Sequence, residues 1–154
     1  MDSAELDSCD RKILRHLAQD GRISWRDLAD RIGLSLTPTL RRVRRLEAES
    51  YIEGYSANLD ERRLLGTMSA FVSVTLERQS EGALAAFEAK VVTLPEVMSA
   101  FLMTGGADYF LRIVVRDLDH YQRLLAELTR IPGVAHIQSS FAIRPVIKRP
   151  APLV

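Results

Sequence analysis

Arg41, Arg42, Arg44 and Arg45 crowd four guanidinium groups into five consecutive positions, interrupted only by Val43. A guanidinium is a planar fork of N–H donors, matched to phosphate oxygens and to the O6/N7 edge of guanine. On a helical wheel of about 3.6 residues per turn, Leu40, Val43 and Leu46 fall on one side, and Pro38, Arg41, Arg42 and Arg45 on the other. One face of such a helix packs on a core while the other meets a polyanion. The N-terminal part of a DNA recognition helix does its reading in the major groove, which assigns Thr37, Pro38, Arg41 and Arg42 to that role. Arg45, a turn further along, is expected on the sugar–phosphate backbone. Ser24, Ser35, Thr37 and Thr39 lie near helix starts, where hydroxyls and free amides hold phosphates and set register. Arg44 lies closer to the buried stripe and divides evenly between packing and DNA. The ordinary alternative for these arginines is a solvated face paired with Glu47 or Glu49.

The elements that position this cluster read at helical spacing from Leu6 to Glu49. A first helix takes Asp7 as N-cap, turns Ile13, Leu14 and Leu17 inward, and ends near Asp20-Gly21. A second begins at Ser24, whose hydroxyl suits the amides of Arg26 and Asp27. It buries Trp25, Leu28, Ala29 and Ile32 and stops at Gly33. A third takes Ser35 as N-cap, with Pro38 in its first turn, where the missing N–H has no intrahelical acceptor. Three helices with a tight glycine turn between the last two predict a helix-turn-helix. Tyr51 to Leu59 then reads as a turn and an extended strand, a wing or the start of a linker, and Asp60 to Gly66 as a hinge.

From Met68 the period changes to two. Ala70, Val72, Val74 and Leu76 alternate with Phe71, Ser73 and Thr75, which predicts a strand with two distinct faces. A helix over Glu81 to Thr93 carries Leu84, Phe87 and Val91 on one stripe. Strands over Glu96 to Met103 and Ala107 to Val115 flank a Gly105-Gly106 turn. A helix marked by Leu118, Tyr121, Leu125 and Leu128 stops at Pro132-Gly133, and a last strand runs from Val134 to about Val146. The order βαββαβ predicts a ferredoxin-like α+β domain, with two helices on one face of a four-stranded antiparallel sheet. The last strand offers two mixed rows, Ala135, Ile137, Ser139, Phe141 and Ile143 against His136, Gln138, Ser140, Ala142 and Arg144, and the pattern assigns neither to the helices. A bare sheet face carrying residues like Phe71, Phe101 or Phe110 favours burial against a second copy.

The bulk properties bound the alternatives. The chain has 154 residues, 47% of them hydrophobic, and a formal net charge of +1. That suffices for two small cores, and the DNA argument rests on charge placement rather than total charge: the arginines stand apart from acidic Asp2, Glu5, Asp7 and Asp10. The single Cys9 excludes an intrachain disulfide, and no leader or membrane-spanning run is apparent, so a soluble cytoplasmic protein is expected. His16, His120 and His136 fall in three elements without metal-ligand spacing, so no metal site and no cofactor are expected. No phosphate-binding glycine loop, dinucleotide fingerprint or nucleophile elbow is present, and Cys9 has no evident base, which argues against an enzyme.

Several runs together carry a resemblance: Leu6-Asp7-Ser8-Cys9-Asp10-Arg11-Lys12-Ile13-Leu14, Asp20-Gly21-Arg22-Ile23-Ser24, Leu28-Ala29, Gly33-Leu34-Ser35, Arg42-Val43-Arg44-Arg45-Leu46-Glu47 and Tyr51-Ile52-Glu53-Gly54-Tyr55. In the second half they are Thr104-Gly105-Gly106-Ala107-Asp108-Tyr109-Phe110-Leu111, Asp117-Leu118-Asp119-His120-Tyr121 and Leu128-Thr129-Arg130-Ile131-Pro132-Gly133-Val134. In this order they resemble the Lrp/AsnC (leucine-responsive/asparagine-type, feast/famine) transcription regulators over nearly the whole chain. The resemblance implies a winged helix-turn-helix on double-stranded DNA and a ferredoxin-like domain that senses a free amino acid. It also implies homodimers assembling further, often to octamers, on the bacterial nucleoid, with the effector in a cleft between dimers. By motif, the effector residues carry over to Met103, Thr104, Gly105, Asp108, Leu118, Ser140, Phe141 and Ala142. Two departures stand out. Gly106-Ala107 replaces a single acidic or aromatic residue common in relatives, and Arg41 stands where many relatives carry an acid.

Physical chemistry gives those effector residues plausible work. Backbone N–H groups of a Gly105-Gly106 turn suit a carboxylate, and Asp108 suits an ammonium. The alternative for Asp108 is stabilising the turn. Arg112 interrupts an apolar strand and is expected in an ion pair on the dimer face. The uncharged Leu118, Phe141 and Ala142 fit an apolar effector. The implied organisation is a DNA-binding domain over 1–60, a linker over 61–67, a sensing and dimerisation domain over 68–147 and a tail over 148–154. The tail is too proline-rich for a helix and either lacks structure or straps onto a neighbour. An architectural DNA-wrapping protein that ignores amino acids is the rival reading.

Overall fold

A computed structural model describes residues 6–149 and 152; the acidic Asp2 and Glu5 and most of the residues beyond Arg149 lie outside it. The chain divides into two compact units. One runs up to Asn58 and includes the residues from Val146 onward, and the other is Leu59–Pro145.

The first unit is three helices, each started by a local signal. Helix α1 (Ser8–Gln19) opens on a capping box: Asp7 accepts from the Asp10 amide at 2.8 Å and Asp10 accepts from the Asp7 amide at 3.2 Å. Helix α2 (Trp25–Ile32) opens on Ser24, which accepts from the Asp27 amide at 3.1 Å. It ends at Gly33, whose φ of 73° is the left-handed conformation that glycine adopts without a Cβ clash, and the Leu34 amide returns to the Ala29 carbonyl at 3.0 Å. Helix α3 (Leu36–Ala48) follows. Ile13, Leu17, Ile23, Leu28, Ile32, Val43 and Leu46 form one core, closed by Leu6, Leu14, Leu34 and Ile52.

Two expectations fail in this unit. Trp25 is 38% exposed rather than buried, since it is the first residue of α2 and the inward stripe begins at Leu28. Residues 51–60 form no strand. The amides of Tyr51 and Ile52 instead turn back to the Leu46 carbonyl at 2.9 and 3.2 Å, which drops Ile52 onto the core.

The second unit starts with a one-turn helix, α4 (Glu61–Leu64), inside the expected hinge, capped by Asp60. Then come β1 (Met68–Leu76), α5 (Glu81–Val91), β2 (Val97–Leu102), β3 (Tyr109–Val115), α6 (Leu118–Thr129) and β4 (Val134–Phe141). The strands form one antiparallel sheet in the order β2-β3-β1-β4. Period-two alternation now has a direction. Ala70, Val72, Val74 and Leu76 of β1 and Tyr109, Leu111, Ile113 and Val115 of β3 face Phe87, Val91, Leu124 and Leu128 of the helices. Val134 and Ile137 join this core, so Ile137, Ser139 and Phe141 face the helices, while the register shift beside Leu76 leaves Ala135 out of that row and exposed. Strand β4 stops at Phe141, five residues short of the expected Val146, where its pairing with β1 ends at Ala70.

The opposite sheet face carries Phe71, Ser73, Phe110, Arg112 and Phe101, with Gln138 and Ser140 from β4. Phe71 and Phe110 stack with ring centroids 5.5 Å apart, and Phe101, paired with Phe110, is 56% exposed.

Candidate DNA interface and ligand site

The arginine cluster on α3 splits into two pairs. Arg42 donates from Nη1 to Asp7 Oδ2 at 2.6 Å and to Asp10 Oδ1 at 2.9 Å, and Arg45 donates from Nη2 to Asp10 Oδ2 at 2.5 Å. Asp10 is 1% exposed. A carboxylate so buried is tolerable only when cations and N–H donors surround it, and Arg42, Arg45 and the Asp7 amide are those donors. The Asp10 amide and then the Arg42 guanidinium hold the Asp7 carboxyl below its ordinary value. The bond to Asp7, then that to Asp10, raises Arg42 above its own.

Arg42 and Arg45, expected at base edges and backbone, here brace α3 against the start of α1. Of the expected glutamates, Glu49 pairs with Arg45 at 4.0 Å, a longer contact than those to Asp7 and Asp10. The aspartate contacts span 32 to 35 residues, beyond any local pattern. The available signal was the capping box itself, two carboxylates held at one helix start.

Arg41 and Arg44 are exposed and have no ion-pair partner among the described residues. Arg44 is thus corrected from the edge of the buried stripe to the open face. With exposed Thr37, these side chains fall at helical spacings of four and three, a single stripe. Pro38 is half-buried beside it. Thr39, expected at a phosphate, is instead fully buried and its hydroxyl donates to the Ser35 carbonyl at 2.9 Å. Ser24 keeps its hydroxyl on Asp27, donating to Oδ2 at 2.6 Å. Ser35 is exposed and its side chain caps nothing. At the far end of α3, Glu47 accepts from the Tyr55 hydroxyl at 2.9 Å; burial first, then Glu47, pushes the Tyr55 hydroxyl up to about 12.

In the second unit the β2–β3 turn is open. Met103, Thr104, Gly105 and Gly106 are exposed, and Gly105 has φ 123°. Asp108, expected to suit an ammonium or to stabilise the turn, is buried. It is 4% exposed, and its carboxylate accepts from the Leu76 amide at 2.6 Å and from the Gln79 side-chain amide at 2.5 Å. It pins the loop after β1, which sequence reasoning missed because Gln79 lies 29 residues away. Arg112 pairs with Glu61 of its own chain.

Leu118, Ser140 and Phe141 are exposed and Ala142 half-buried; the Phe141 ring meets Tyr121 edge-on at 4.9 Å. This group sits where β1 begins, since Phe141 pairs with Ala70, whereas the glycine turn sits where β1 finishes, since Tyr109 pairs with Val74. Four residues of strand, roughly 13 Å at 3.3 Å each, separate the two levels. One chain does not bring its candidate effector residues together. Among the described residues no cluster of His, Cys, Asp and Glu suits a metal ion, and no helix is long and apolar enough to cross a membrane.

A helix-turn-helix carrying an exposed arginine stripe, joined to a separate α/β sheet domain, is the build of a DNA-binding regulator. Comparison with known proteins agrees. Residues 6–53 match the model described as winged helix-turn-helix DNA-binding, and residues 69–152 match the Lrp/AsnC ligand binding domain. The chain is 64% identical to the Bkd operon transcriptional regulator of Pseudomonas aeruginosa, over 97% of this chain and 98% of that protein. It is 44% identical to the leucine-responsive regulatory protein of Salmonella typhimurium, over 84% of this chain and 80% of that protein. A transcriptional regulator from Neisseria meningitidis, solved as a complex with L-methionine, superposes with TM-score 0.90 at 34% identity, covering 97% of each chain. The chain belongs to the Lrp/AsnC family: it is a DNA-binding transcription regulator with a ligand-binding domain, not an enzyme.

Proposed function

We propose that this regulator contacts operator DNA through Thr37, Arg41 and Arg44 of α3, and that an apolar L-amino acid controls its binding or assembly. The observation that carries the DNA half is the division of the arginines: two are held by buried Asp10, and two, exposed on one stripe with Thr37, have no ion-pair partner among the described residues. Pro38 and the exposed Ser35 lie beside that stripe at the helix start, where free amides add phosphate contacts.

The effector half draws on the relative solved with L-methionine and on chemistry. The Gly105-Gly106 turn offers N–H groups to a carboxylate, while Leu118, Phe141 and Ala142 offer apolar surface to a side chain. Because these groups lie at different levels of one sheet, a site using both takes one group from each of two copies. Asp108 being committed, carbonyls of the Met103–Thr104 stretch are left to meet the ammonium. The phenylalanine face of the sheet is the dimer surface, and further assembly, to octamers in the family manner, creates the effector cleft. The protein acts in the cytoplasm, on the nucleoid.

Fluorescence anisotropy on DNA upstream of its own gene tests this, titrated over salt with and without pooled amino acids. Arg41→Ala and Arg44→Ala are each expected to weaken binding by about 1–3 kcal/mol for a base contact. For a phosphate contact, the log–log salt slope should fall by about one. Unchanged affinity in both variants refutes the assignment. Binding indifferent to every amino acid would instead leave an architectural DNA-wrapping protein.

A further inference from the structure

On the DNA-binding unit, between α1 and the segment that follows α3, lies an open groove of about 640 Å³. Leu14, Leu17, Tyr51, Ile52 and Tyr55 line it, and so does Pro152, from the other end of the sequence. Residues from Val146 onward group with this unit and not with the sheet domain from which they emerge. From Val146 the chain reads Val-Ile-Lys-Arg-Pro-Ala-Pro-Leu-Val, apolar residues and two prolines interleaved with a basic pair. Val146 and Ile147 are 80% and 66% exposed, with apolar surface still to bury. Proline-rich segments favour an extended polyproline II form and dock into aromatic-lined grooves at small entropic cost. Exposed Glu53 on the groove's rim complements the basic pair.

We propose that this groove is the seat of the chain's own C-terminal segment, which straps the DNA-binding unit to the end of β4. The chain leaves this unit after Asn58 and rejoins it from Val146, so a second covalent path connects it with Ser140, Phe141 and Ala142. Its use in relaying effector binding rests on the effector reading above; the docking itself does not.

Proximity cross-linking of the full-length protein tests the docking. In a Cys9→Ser background, Pro152→Cys is combined either with Ser56→Cys, in the groove, or with Asp30→Cys, an exposed site on α2 outside it. A short bismaleimide is added, and intrachain and interchain products are separated by mass. A docked strap gives an intrachain product with Ser56→Cys at least about ten-fold faster than with Asp30→Cys, because docking raises the local concentration at one site only. Equal rates mean a freely sampling tail and overturn the proposal. A product between chains only assigns the groove to a second copy's tail and also overturns it. Circular dichroism and DNA affinity matching the parent exclude misfolding as the cause of either result. Loss of the amino-acid response with the intrachain product intact would fault the effector reading and leave the strap standing.

Discussion

Replacing Arg42 by alanine separates a DNA-reading arginine from a bracing one, because the two roles predict opposite outcomes in two assays. Arg42 holds Asp10, which is 1% exposed, at 2.9 Å. A hydrogen bond to a charged group contributes about 1.5–3 kcal/mol, and removing the sole partner of a buried charge costs about 3–5 kcal/mol. Asp10 keeps Arg45 and the Asp7 amide, so the loss is partial, and about 2 kcal/mol is the expected destabilisation of the first unit. Urea unfolding followed by the fluorescence of Trp25, the sole tryptophan, reads this unit alone. With a slope of about 1 kcal/mol per molar for a domain of this size, the midpoint should fall by about 2 M. Operator affinity measured on the folded protein, well below that midpoint, should keep its salt slope. An unchanged midpoint together with a salt slope reduced by about one would mean that Arg42 neutralises a phosphate. The bracing argument would then be wrong.

Three further outcomes follow from the same geometry. Asp108→Ala strands the buried Leu76 amide and should destabilise the sheet domain by about 1–3 kcal/mol; circular dichroism melts check this, and calorimetry should find amino-acid affinity intact in the folded protein. Gly66→Ala sets a Cβ against the Val115 carbonyl oxygen, well inside contact distance, at φ 151°, so a cost of about 1–3 kcal/mol in the same melts is expected, and a neutral variant would contradict the close approach. The Asp7 carboxyl lies below its ordinary value of 3.8 in the folded protein, so its contribution is present above that value and lost as pH falls through the lower folded one. Asp7→Asn should therefore flatten the acid limb of stability recorded by Trp25 fluorescence, leaving stability near neutral pH less than the parent's.

Local signals carried most of the fold. Asp7, Ser24 and Gly33 start and stop helices through contacts within four residues, and the alternation of β1 is a property of the strand alone. The departures have one physical origin. Residue type and local pattern place Trp25, Thr39, Asp108 and Arg42, whereas burial decides them, through a distant neighbour for Asp108 and Arg42 and through where the buried stripe falls on its helix for Trp25 and Thr39. Burial converts a residue suited to chemistry into structure whenever a buried charge or amide must be satisfied. Asp10 claims Arg42 and Arg45, and Leu76 claims Asp108. The converse supports the proposed site. Arg41 and Arg44 occupy the same helix and carry the same group, yet no carboxylate among the described residues pairs with them. An uncompensated stripe of cations costs little in water and gains most where phosphates displace the counterions. Among the described residues, the two arginines left without an ion pair are therefore the two proposed to meet DNA, and a wheel drawn without Asp10 has no means of choosing them.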